Sequence, residues 1–332
     1  MGVNSDQPRV GIIGAGGIGQ KRAASLAGAT LAVCCDSVLD RAESVARRHP
    51  GATATTDWKS VVGRPDIDIV IVSTTHDVLP QIGEAAAANG KHDLIEKPGA
   101  RRAVELDRLA AAAQATGSLV RLGFNHRYHR AFQKARTIFD SAELGAPLFI
   151  RGRYGHGGRI GYEKEWRAVP EVSGGGEAID QGVHLIDLAR WFLGDFSKVQ
   201  GCVRTFFWNM PVEDNAFFLL EGSSGCVASL HASWTEWKNL FSFEIFCRNG
   251  KLEVSGLGGS YGTESLRYYQ MLPEMGPPDT VVYEYPAPDD SWEREFGDFL
   301  EDIRLKRQPQ PGIADAQAAL RIVEQVYKGQ QT

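Results

Sequence analysis

The chain has 332 residues, of which 43% are hydrophobic and 23% are charged, so we expect a folded core and no extended disorder. This length is enough for two domains, because single hydrophobic cores stop growing at about 250–300 residues. The net charge of −5 argues against nucleic acid or an anionic membrane as partner, since both select a basic excess. Five cysteines without a CxxC pair suit a reducing cytosol, and no apolar run reaches the roughly 18 residues of a membrane span. The composition predicts a soluble cytoplasmic protein.

The first predicted strand, Arg9–Ile13, leads into a glycine-rich turn and a predicted helix over Gln20–Ala27. The turn, GAGGIG, has the GxGxxG pattern, in which the glycines allow a tight turn, close approach of a pyrophosphate, and close packing of helix and strand. The helix N-terminus also offers free N–H groups to phosphates. The candidate cofactor-binding residues here are Gly14, Gly16, Gly17, Ile18 and Gly19. A glycine-rich turn that binds no cofactor is the alternative.

An acidic residue supports the cofactor interpretation. The second predicted strand, Leu31–Cys35, ends at Asp36, where a carboxylate meets the adenosine ribose of a bound dinucleotide. A carboxylate there hydrogen-bonds the 2′-hydroxyl and repels a 2′-phosphate, which favours NAD over NADP. Arg41 lies one turn into the next helix and would weaken that preference, so NADP stays open.

Helices and strands alternate up to residue 123. The predicted helices are Leu39–Arg48, Val78–Asn89 and Ala100–Thr116. The predicted strands are Pro65–Ser73, Asp93–Ile95 and Leu119–Gly123. This alternation gives an α/β fold with a doubly wound, mostly parallel sheet, whose ligands bind beyond the carboxyl ends of the strands. At one such end we place candidate cofactor contacts, at Ser73, Thr74 and His76.

A second strand end carries Glu96-Lys97-Pro98. A lysine there can donate to a substrate hydroxyl or carbonyl and stabilise developing negative charge. A solvated turn is the alternative for the tripeptide taken alone.

The segment Gly174–Leu193 carries the candidate for acid–base chemistry. Three glycines lead into apolar positions at helical spacing, and Asp180 and His184, four residues apart, are expected to leave the same face of a helix. A carboxylate beside an imidazole can hold one ring tautomer and place the imidazole pKa near neutrality. The alternatives are a surface pair that caps a helical turn and a metal pair, although no third ligand stands at a convincing spacing.

The segment Arg151–Trp166 is rich in glycine, arginine and tyrosine and is predicted to be an irregular substrate loop. Its side chains suit sugar hydroxyls or a phosphate. The candidates are Arg153, Tyr154, His156, Arg159, Tyr162 and Trp166. A solvated surface loop or an interface loop is the alternative.

The last third of the chain predicts an antiparallel sheet followed by two helices, Trp292–Lys306 and Ile313–Lys328. The predicted strands are Val203–Phe207, Ala216–Leu220, Cys226–Ser233, Phe241–Cys247 and Leu252–Val254. One face of the sheet is expected to pack on helices, and we assign Phe241 and Phe243 to the opposite, open face. The last helix is expected to pack back on the N-terminal domain.

Three features occur together: GAGGIG with Asp36, the Glu96-Lys97-Pro98 strand end, and a GG-x-x-x-D-x-G-x-H motif. The residues of that motif are Gly175, Gly176, Asp180, Gly182 and His184. The combination resembles the glucose–fructose oxidoreductase/inositol dehydrogenase/rhizopine catabolism (Gfo/Idh/MocA) family of NAD(P)-dependent oxidoreductases, over essentially the whole chain. The resemblance implies a Rossmann domain over residues 1–123. An α+β domain with a large, mostly antiparallel open sheet would follow over residues 124–332, for substrate binding and oligomerisation.

The resemblance also implies residue roles. Lys97 would bind and polarise the reacting hydroxyl, His184 would be the acid/base, and Asp180 would orient the histidine or bind substrate. Glu96 would contact the nicotinamide side of the cofactor site. One departure concerns residues 75–76, Thr-His here, where many members carry a Pro-Asn pair near the cofactor.

Asn125 and Arg127 match a segment that borders the active site in the family. The function implied is a dehydrogenase that acts on a secondary alcohol of a sugar, cyclitol or nucleotide sugar, with NAD, no metal, and a homodimer or homotetramer formed through the open sheet face. Two alternatives stay open: a glycosidase of the same fold that uses a tightly held NAD, and a non-catalytic NAD-binding regulator.

Overall fold

The computed structural model describes residues 7–330, and residues 1–6 and 331–332, at the outer ends of the two expected domains, lie outside the described residues. The chain forms two compact units. The first contains the described residues up to Phe124 together with Trp292–Ala318, and the second contains Asn125–Ser291 together with the described residues from Ala319 onward. A single domain boundary after residue 123 was expected, whereas in the structure Trp292–Ala318 also belongs to the first unit.

The first unit is built on a six-stranded sheet with the strand order β3-β2-β1-β4-β5-β6. Its strands are β1 (Arg9–Ile13), β2 (Thr30–Cys35), β3 (Thr53–Thr55), β4 (Ile69–Val72), β5 (His92–Glu96) and β6 (Val120–Gly123). Every neighbouring pair is parallel. The strand order reverses at β1, and such reversal points are where doubly wound sheets bind dinucleotides. The predicted doubly wound parallel sheet is confirmed.

Five helices accompany this sheet before residue 124. They are α1 (Gly17–Ala24), α2 (Leu39–Ala46), α3 (Trp58–Val62), α4 (Leu79–Ala88) and α5 (Asp107–Thr116). The predicted helix Ala100–Thr116 is therefore shorter than expected, because its first part forms a 3-10 turn at Ala103–Leu106. The sequence analysis did not predict β3 or α3, both of which are very short.

The second unit is built on an eight-stranded sheet with the order β14-β13-β12-β11-β7-β10-β9-β8. Its strands are β7 (Pro147–Gly155), β8 (Phe196–Arg204), β9 (Asn215–Gly222), β10 (Val227–Ser233), β11 (Leu240–Cys247), β12 (Gly250–Ser255), β13 (Glu264–Gln270) and β14 (Asp279–Tyr285). β7 and β10 are parallel, and the other neighbouring pairs are antiparallel. The large, mostly antiparallel sheet is confirmed, although β13 and β14 were not predicted. The predicted strand Val203–Phe207 is misplaced, because β8 begins at Phe196 and ends at Arg204.

The prediction of an irregular loop over Arg151–Trp166 is wrong in its first part. Residues up to Gly155 belong to β7, a central strand between β11 and β10. The two-residue alternation of this strand is hidden in the sequence because some of its buried positions are glycines. At Gly152 an added Cβ would lie 3.0 Å from the Leu230 and Phe243 side chains, so the absent side chain makes room for the core.

The assignment of Phe241 and Phe243 to the open sheet face is also wrong. Along β11 every second residue is buried, and Phe241 and Phe243 are 2% and 0% exposed. Their neighbours Ser242 and Glu244 occupy the other face. The register of the alternation, one residue away from the expected one, decides which side chains reach the core.

The helices of the second unit are α6 (Arg130–Asp140), α7 (Pro170–Ser173) and α8 (Val183–Leu193), and a π-helical turn at Ala178–Gly182 precedes α8. Two further helices close the chain, α9 (Ser291–Leu305) and α10 (Ile313–Lys328). In the first unit, Phe296 and Phe299 of α9 are fully buried in the same hydrophobic cluster as residues of β1, β2 and β4. Within residues 7–330, no helix combines the length and hydropathy needed to cross a bilayer.

Candidate active-site residues

The glycine-rich turn between β1 and α1 requires glycine at two positions. Gly14 has a φ of +100°, and a Cβ there would overlap the Ser73 carbonyl. A Cβ at Gly19 would overlap the Gly14 carbonyl, because α1 packs directly on the turn. The Ser73 hydroxyl donates to the same Gly14 carbonyl at 2.8 Å, so Ser73 supports the turn from β4.

The space in front of α1 is open. A Cβ added to Gly16 or Gly17 would meet no atom within 4 Å, and Gly16, the N-cap residue, makes no side-chain cap bond. The first N–H groups of α1 therefore point into a cradle without a side chain, with the positive end of the helix dipole behind it. This cradle fits the pyrophosphate of NAD. Half-buried Ile18 follows it on α1.

Asp36 joins the end of β2 to the glycine turn. Its carboxylate, 8% exposed, accepts the Ala15 N–H at 2.7 Å and the Val38 N–H at 2.9 Å. Because a carboxylate has about four acceptor positions, two remain for ribose hydroxyls. Arg41 lies 3.9 Å from the same carboxylate and is mostly exposed. The donor set fits the adenosine ribose of NAD.

The other cofactor candidates follow β4 and β5. Thr74 is half-buried and His76 is 3% exposed. Lys97 is half-buried directly after β5, and the Lys97–Pro98 peptide bond is cis. Glu96, the last residue of β5, has a buried cationic partner: the Arg22 Nε donates to its Oε1 at 2.6 Å.

Sequence reasoning missed Arg22. The side chain is 1% exposed, and its Nη1 lies 2.6 Å from Oε2 of the fully buried Glu295. Burial raises the pKa of Glu295 to about 7, against the opposing effect of the Arg22 charge. A signal existed, since Arg22 lies three residues after Gly19 and so on the helix face that packs on the sheet.

In the second unit, Asp180 lies in the π-helical turn and His184 in the first turn of α8, which departs from the continuous α-helix that the sequence predicted. Both side chains are buried. Asp180 forms an ion pair with Arg167, with Nε and Oδ2 3.0 Å apart. Arg167 was not singled out from the sequence, because it lies in a short 3-10 turn without a recognisable pattern.

Two glycines of the motif are explained by packing. A Cβ at Gly175, whose φ is +155°, would overlap the Tyr327 hydroxyl, and a Cβ at Gly176 would overlap the Glu213 backbone. The Glu213 carboxylate accepts the Tyr327 hydroxyl at 2.6 Å and the Ala178 N–H at 3.0 Å. The start of the turn that carries Asp180 is thus held against Glu213 and Tyr327.

The His184 ring stacks on His126. Their ring centres are 3.8 Å apart and their planes 17° from parallel, and each residue is 5% exposed. The Tyr154 ring meets the edge of His126 at 5.1 Å. The sequence analysis named the neighbours of His126 but not His126 itself.

A tyrosine pair completes this group of rings. The ring centres of Tyr154 on β7 and Tyr261 are 5.5 Å apart. Burial raises the pKa of Tyr154 well above its usual value and raises the pKa of Tyr261 to about 12. Both phenols therefore stay protonated at neutral pH and can donate to neutral oxygen atoms. Tyr261 was missed because it lies in an irregular, glycine-rich loop.

The structure gives most other substrate candidates a partner within the protein. Asn125 donates to the Ser291 hydroxyl at 2.8 Å. Arg127 forms a two-pronged, buried ion pair with Asp187 of α8 at 2.8 and 2.6 Å. Both side chains thus tie the short turn after β6 to its surroundings in the second unit.

The segment after β7 has its own internal contacts. The His156 Nδ1 accepts the Gly158 N–H at 2.9 Å, and burial lowers the pKa of His156. Arg159 forms an exposed ion pair with Glu165 at 2.6 Å, and the Arg167 guanidinium lies 4.6 Å from the centre of the Trp166 ring. Within residues 7–330, three or more metal-ligating side chains converge nowhere.

Both units match family models. Residues 8–124 match the model described as "Oxidoreductase family, NAD-binding Rossmann fold", and residues 132–253 match the "GFO/IDH/MocA C-terminal domain". The levoglucosan dehydrogenase of Pseudarthrobacter phenanthrenivorans is 27% identical over 283 residues, 73% of this chain and 72% of that protein. The inositol 2-dehydrogenase of Salmonella paratyphi B is 27% identical over 60% of this chain, and the match spans 57% of its own length.

A solved structure, a levoglucosan dehydrogenase in complex with NADH, is 25% identical and superposes with a TM-score of 0.85 over 97% of both chains. The open cradle at Gly16, the Asp36 carboxylate beside the glycine turn and the two family matches lead to one assignment. The chain belongs to the Gfo/Idh/MocA family of NAD-binding oxidoreductases.

Proposed function

We propose that this oxidoreductase transfers a hydride between NAD and a secondary alcohol, or the corresponding ketone, of an uncharged sugar or cyclitol. The observation that carries the proposal is the buried group of hydrogen-bonding rings in the second unit: His184 stacked on His126, with the Tyr154 and Tyr261 phenols beside them. Such groups recognise hydroxyls without requiring charge on the ligand. The names of the relatives, levoglucosan and inositol dehydrogenases, support the same substrate class.

The residues of the cofactor site have the following proposed roles. Gly14, Gly16, Gly17, Ile18 and Gly19 hold the pyrophosphate, Asp36 holds the ribose, and Ser73, Thr74, His76 and Glu96 line the remainder of the cofactor site. When bound, NAD supplies the hydride acceptor, and NADH the donor. The cofactor choice is NAD rather than NADP, because the Asp36 carboxylate would lie against a 2′-phosphate.

We assign the role of proton acceptor and donor to His184. In the oxidation direction a ring nitrogen of His184 takes the hydroxyl proton, and in reduction it returns the proton to the ketone oxygen. The Lys97 ammonium donates to the same oxygen and stabilises its developing negative charge. Asp180, fixed by Arg167, orients the histidine or a neighbouring substrate hydroxyl.

The charge pattern favours a free sugar or cyclitol over a nucleotide-activated sugar. Arg159 and Arg167, the cations that would suit a diphosphate, are paired with Glu165 and Asp180. An arginine whose charge is already balanced by a carboxylate gains less from a phosphate. We therefore place Tyr154, His156 and Trp166, rather than the arginines, among the substrate contacts, together with Asn125.

The test is the absorbance of reduced nicotinamide while the purified protein meets levoglucosan, inositols, other free sugars and nucleotide sugars, each with NAD and with NADP. We expect turnover with NAD and one uncharged polyol, and its loss in Lys97→Ala and His184→Asn. Lys198→Ala, at an exposed ion pair on β8, is the matched control and should keep wild-type turnover. Full activity in His184→Asn contradicts the acid/base assignment.

Two outcomes would replace the dehydrogenase. Release of a free sugar from a glycoside without accumulation of NADH indicates the glycosidase alternative. Binding of NAD without turnover of any tested compound indicates a regulator. We also propose a cytoplasmic location, supported by five cysteines that are all unbridged, and a homo-oligomer that forms through the exposed face of the eight-stranded sheet.

A further inference from the structure

The nucleotide-binding unit contains a charged network in which two residues, Arg22 and Glu295, have no role in the proposed chemistry. Arg22 of α1 contacts Glu96 of β5 through Nε and Nη2, each at 2.6 Å, and contacts Glu295 of α9 through Nη1, also at 2.6 Å. All three side chains are buried. Such burial is costly, because charges lose their hydration, and well-packed apolar side chains of the same size often stabilise a fold as well or better.

The surroundings are shaped to this network. The Trp292 ring lies 4.5 Å from the Arg22 guanidinium. At Gly123, the last residue of β6, an added Cβ would lie 2.9 Å from Arg22 Nη2 and 3.0 Å from Glu96 Oε2. The absence of a side chain at Gly123 therefore leaves the room in which the Arg22–Glu96 pair meets.

The network includes the residue directly before Lys97. Glu96 is the last residue of β5, and Lys97 is the next residue in the chain. Arg22 of α1, which Glu295 of α9 holds in turn, fixes the Glu96 carboxylate and therefore the point at which Lys97 leaves the sheet. Arg22 also forms an ion pair with the carboxylate of Glu96, the residue directly before Lys97 in the sequence.

We propose that Arg22 and Glu295 are positioning residues for Lys97: Glu295 holds Arg22, Arg22 holds Glu96, and the network thereby sets the direction and the electrostatic surroundings of the lysine ammonium. The inference rests on the proposed role of Lys97 in catalysis. It extends that role to two residues that lie 75 positions before and 198 positions after Lys97 in the sequence.

The protonation state of Glu295 changes the charge balance of this network. The charged groups that face it are Arg22 from α1, Glu96 from β5 and Arg121 from β6. Arg121 is shared with Asp298 and Asp302 on the same helix as Glu295. With Glu295 neutral, the Arg22 charge is balanced by Glu96 alone. With Glu295 ionised, two carboxylates share one guanidinium, so we expect the properties of Lys97 to change with pH near neutrality.

The test uses Arg22→Lys, which lacks the three-nitrogen fork through which the guanidinium contacts Glu96 and Glu295, and the isosteric Glu295→Gln, which keeps the packing and removes the titration. The matched control is Asp298→Asn, on the same helix, which removes the outer partner of Arg121 and leaves Arg22 untouched. Four quantities are measured for each: kcat and KM, NADH affinity by fluorescence, the thermal midpoint, and the rate at which acetic anhydride acylates Lys97 in the cofactor-free protein, read by peptide mass spectrometry.

We expect Arg22→Lys and Glu295→Gln to lower kcat by about 10- to 100-fold, since small misplacements of a catalytic group have effects of this size. NADH affinity should change by less than about threefold, and the pH dependence of Lys97 acylation should shift in both variants but not in Asp298→Asn. Folded variants with wild-type kcat and an unchanged acylation profile overturn the inference.

Different results would contradict the proposed role of Lys97 and the positioning role of Arg22 and Glu295. If Lys97→Ala keeps full turnover, the assigned role of Lys97 is wrong, whereas the acylation profile still tests whether the network sets the surroundings of the lysine. If Lys97→Ala is inactive and both network variants behave as the control does, the positioning inference alone is wrong. If Arg22→Lys does not fold, the isosteric Glu295→Gln decides.

Discussion

Asp93 is a carboxyl group in the middle of β5 that the proposed chemistry does not use. It is 0% exposed, and neither of its carboxyl oxygens has a hydrogen-bond partner among the described residues. Burial raises its pKa well above the usual value. Because the folded-state pKa lies above the unfolded one, the protonated form favours folding. This contribution is present below the unfolded pKa of about 3.9 and is lost as pH rises toward the folded value.

We therefore predict that Asp93→Asn, which cannot ionise, gains stability over the wild type as pH rises from 5 to 8. The difference in unfolding free energy should grow by about 1.4 kcal/mol per pH unit until the folded-state pKa is reached. Denaturant unfolding at several pH values measures it. Asp279→Asn, at an exposed position of β14, is the control and should follow the wild type. Parallel pH profiles of Asp93→Asn and the wild type would show that Asp93 is ionised in the fold.

Single residues differ in how far the sequence predicts their role. The tight glycine turn and the position of Asp36 beside it were predictable, because both are set by spacing within about 25 residues. The partners of the candidate catalytic groups were not. His126 stacks on a residue 58 positions later in the sequence, and Arg22 meets Glu295 across 273 positions. Only the folded chain brings such pairs together.

At the scale of elements, periodicity located most of the buried strands but missed β13 and β14. β4 is buried at every position and was predicted, whereas β14 is exposed along most of its length and was not. The π-helical turn at Ala178–Gly182 was also missed, because an apolar pattern at helical spacing does not distinguish a π turn from an α turn.

The π turn yields a prediction about Gly176. Gly176→Ala should destabilise the protein by about 1–3 kcal/mol, because its Cβ would overlap the Glu213 backbone in a closely packed region. Activity should fall by about 10- to 100-fold as well, since the same turn carries Asp180. Denaturant unfolding and initial rates measure the two effects.

Gly276→Ala is the matched control for this prediction. A Cβ at Gly276 would meet nothing within 4 Å, and its backbone is not in the left-handed region, so stability and turnover should stay near those of the wild type. Equal behaviour of the two alanine variants would mean that the turn relaxes without cost, and that the packing of Gly176 against Glu213 is not needed to hold Asp180.

At the scale of the whole molecule, the order of elements in the sequence was enough to predict one parallel and one mostly antiparallel sheet. The last helix was expected to pack on the N-terminal domain, but the grouping of α9 with the first unit was not predicted, because α9 has the amphipathic pattern of any surface helix. In the structure its buried phenylalanines join the core of the first unit. The pattern of an amphipathic helix shows which of its faces is buried but not which core that face joins.

The eight-stranded sheet bears on the association state of the whole molecule. On its outer face Phe149, Phe217 and Leu219 are 36%, 36% and 48% exposed. Arg151 and Glu244 form an ion pair on the same face and line a groove of about 420 Å³. Large apolar side chains grouped among charged ones on a broad sheet are typical of a protein interface.

We predict that the wild type has a solution mass that is a multiple of 36.3 kDa, and that Leu219→Lys shifts it toward the monomer, because burying an unpaired ammonium in the interface is unfavourable. Light scattering coupled to size-exclusion chromatography measures the mass. The control is Val104→Lys, which introduces the same charge at a position that is 60% exposed in the first unit. A monomeric wild type at micromolar concentration contradicts the prediction, and a Leu219→Lys variant that stays oligomeric moves the interface to another surface.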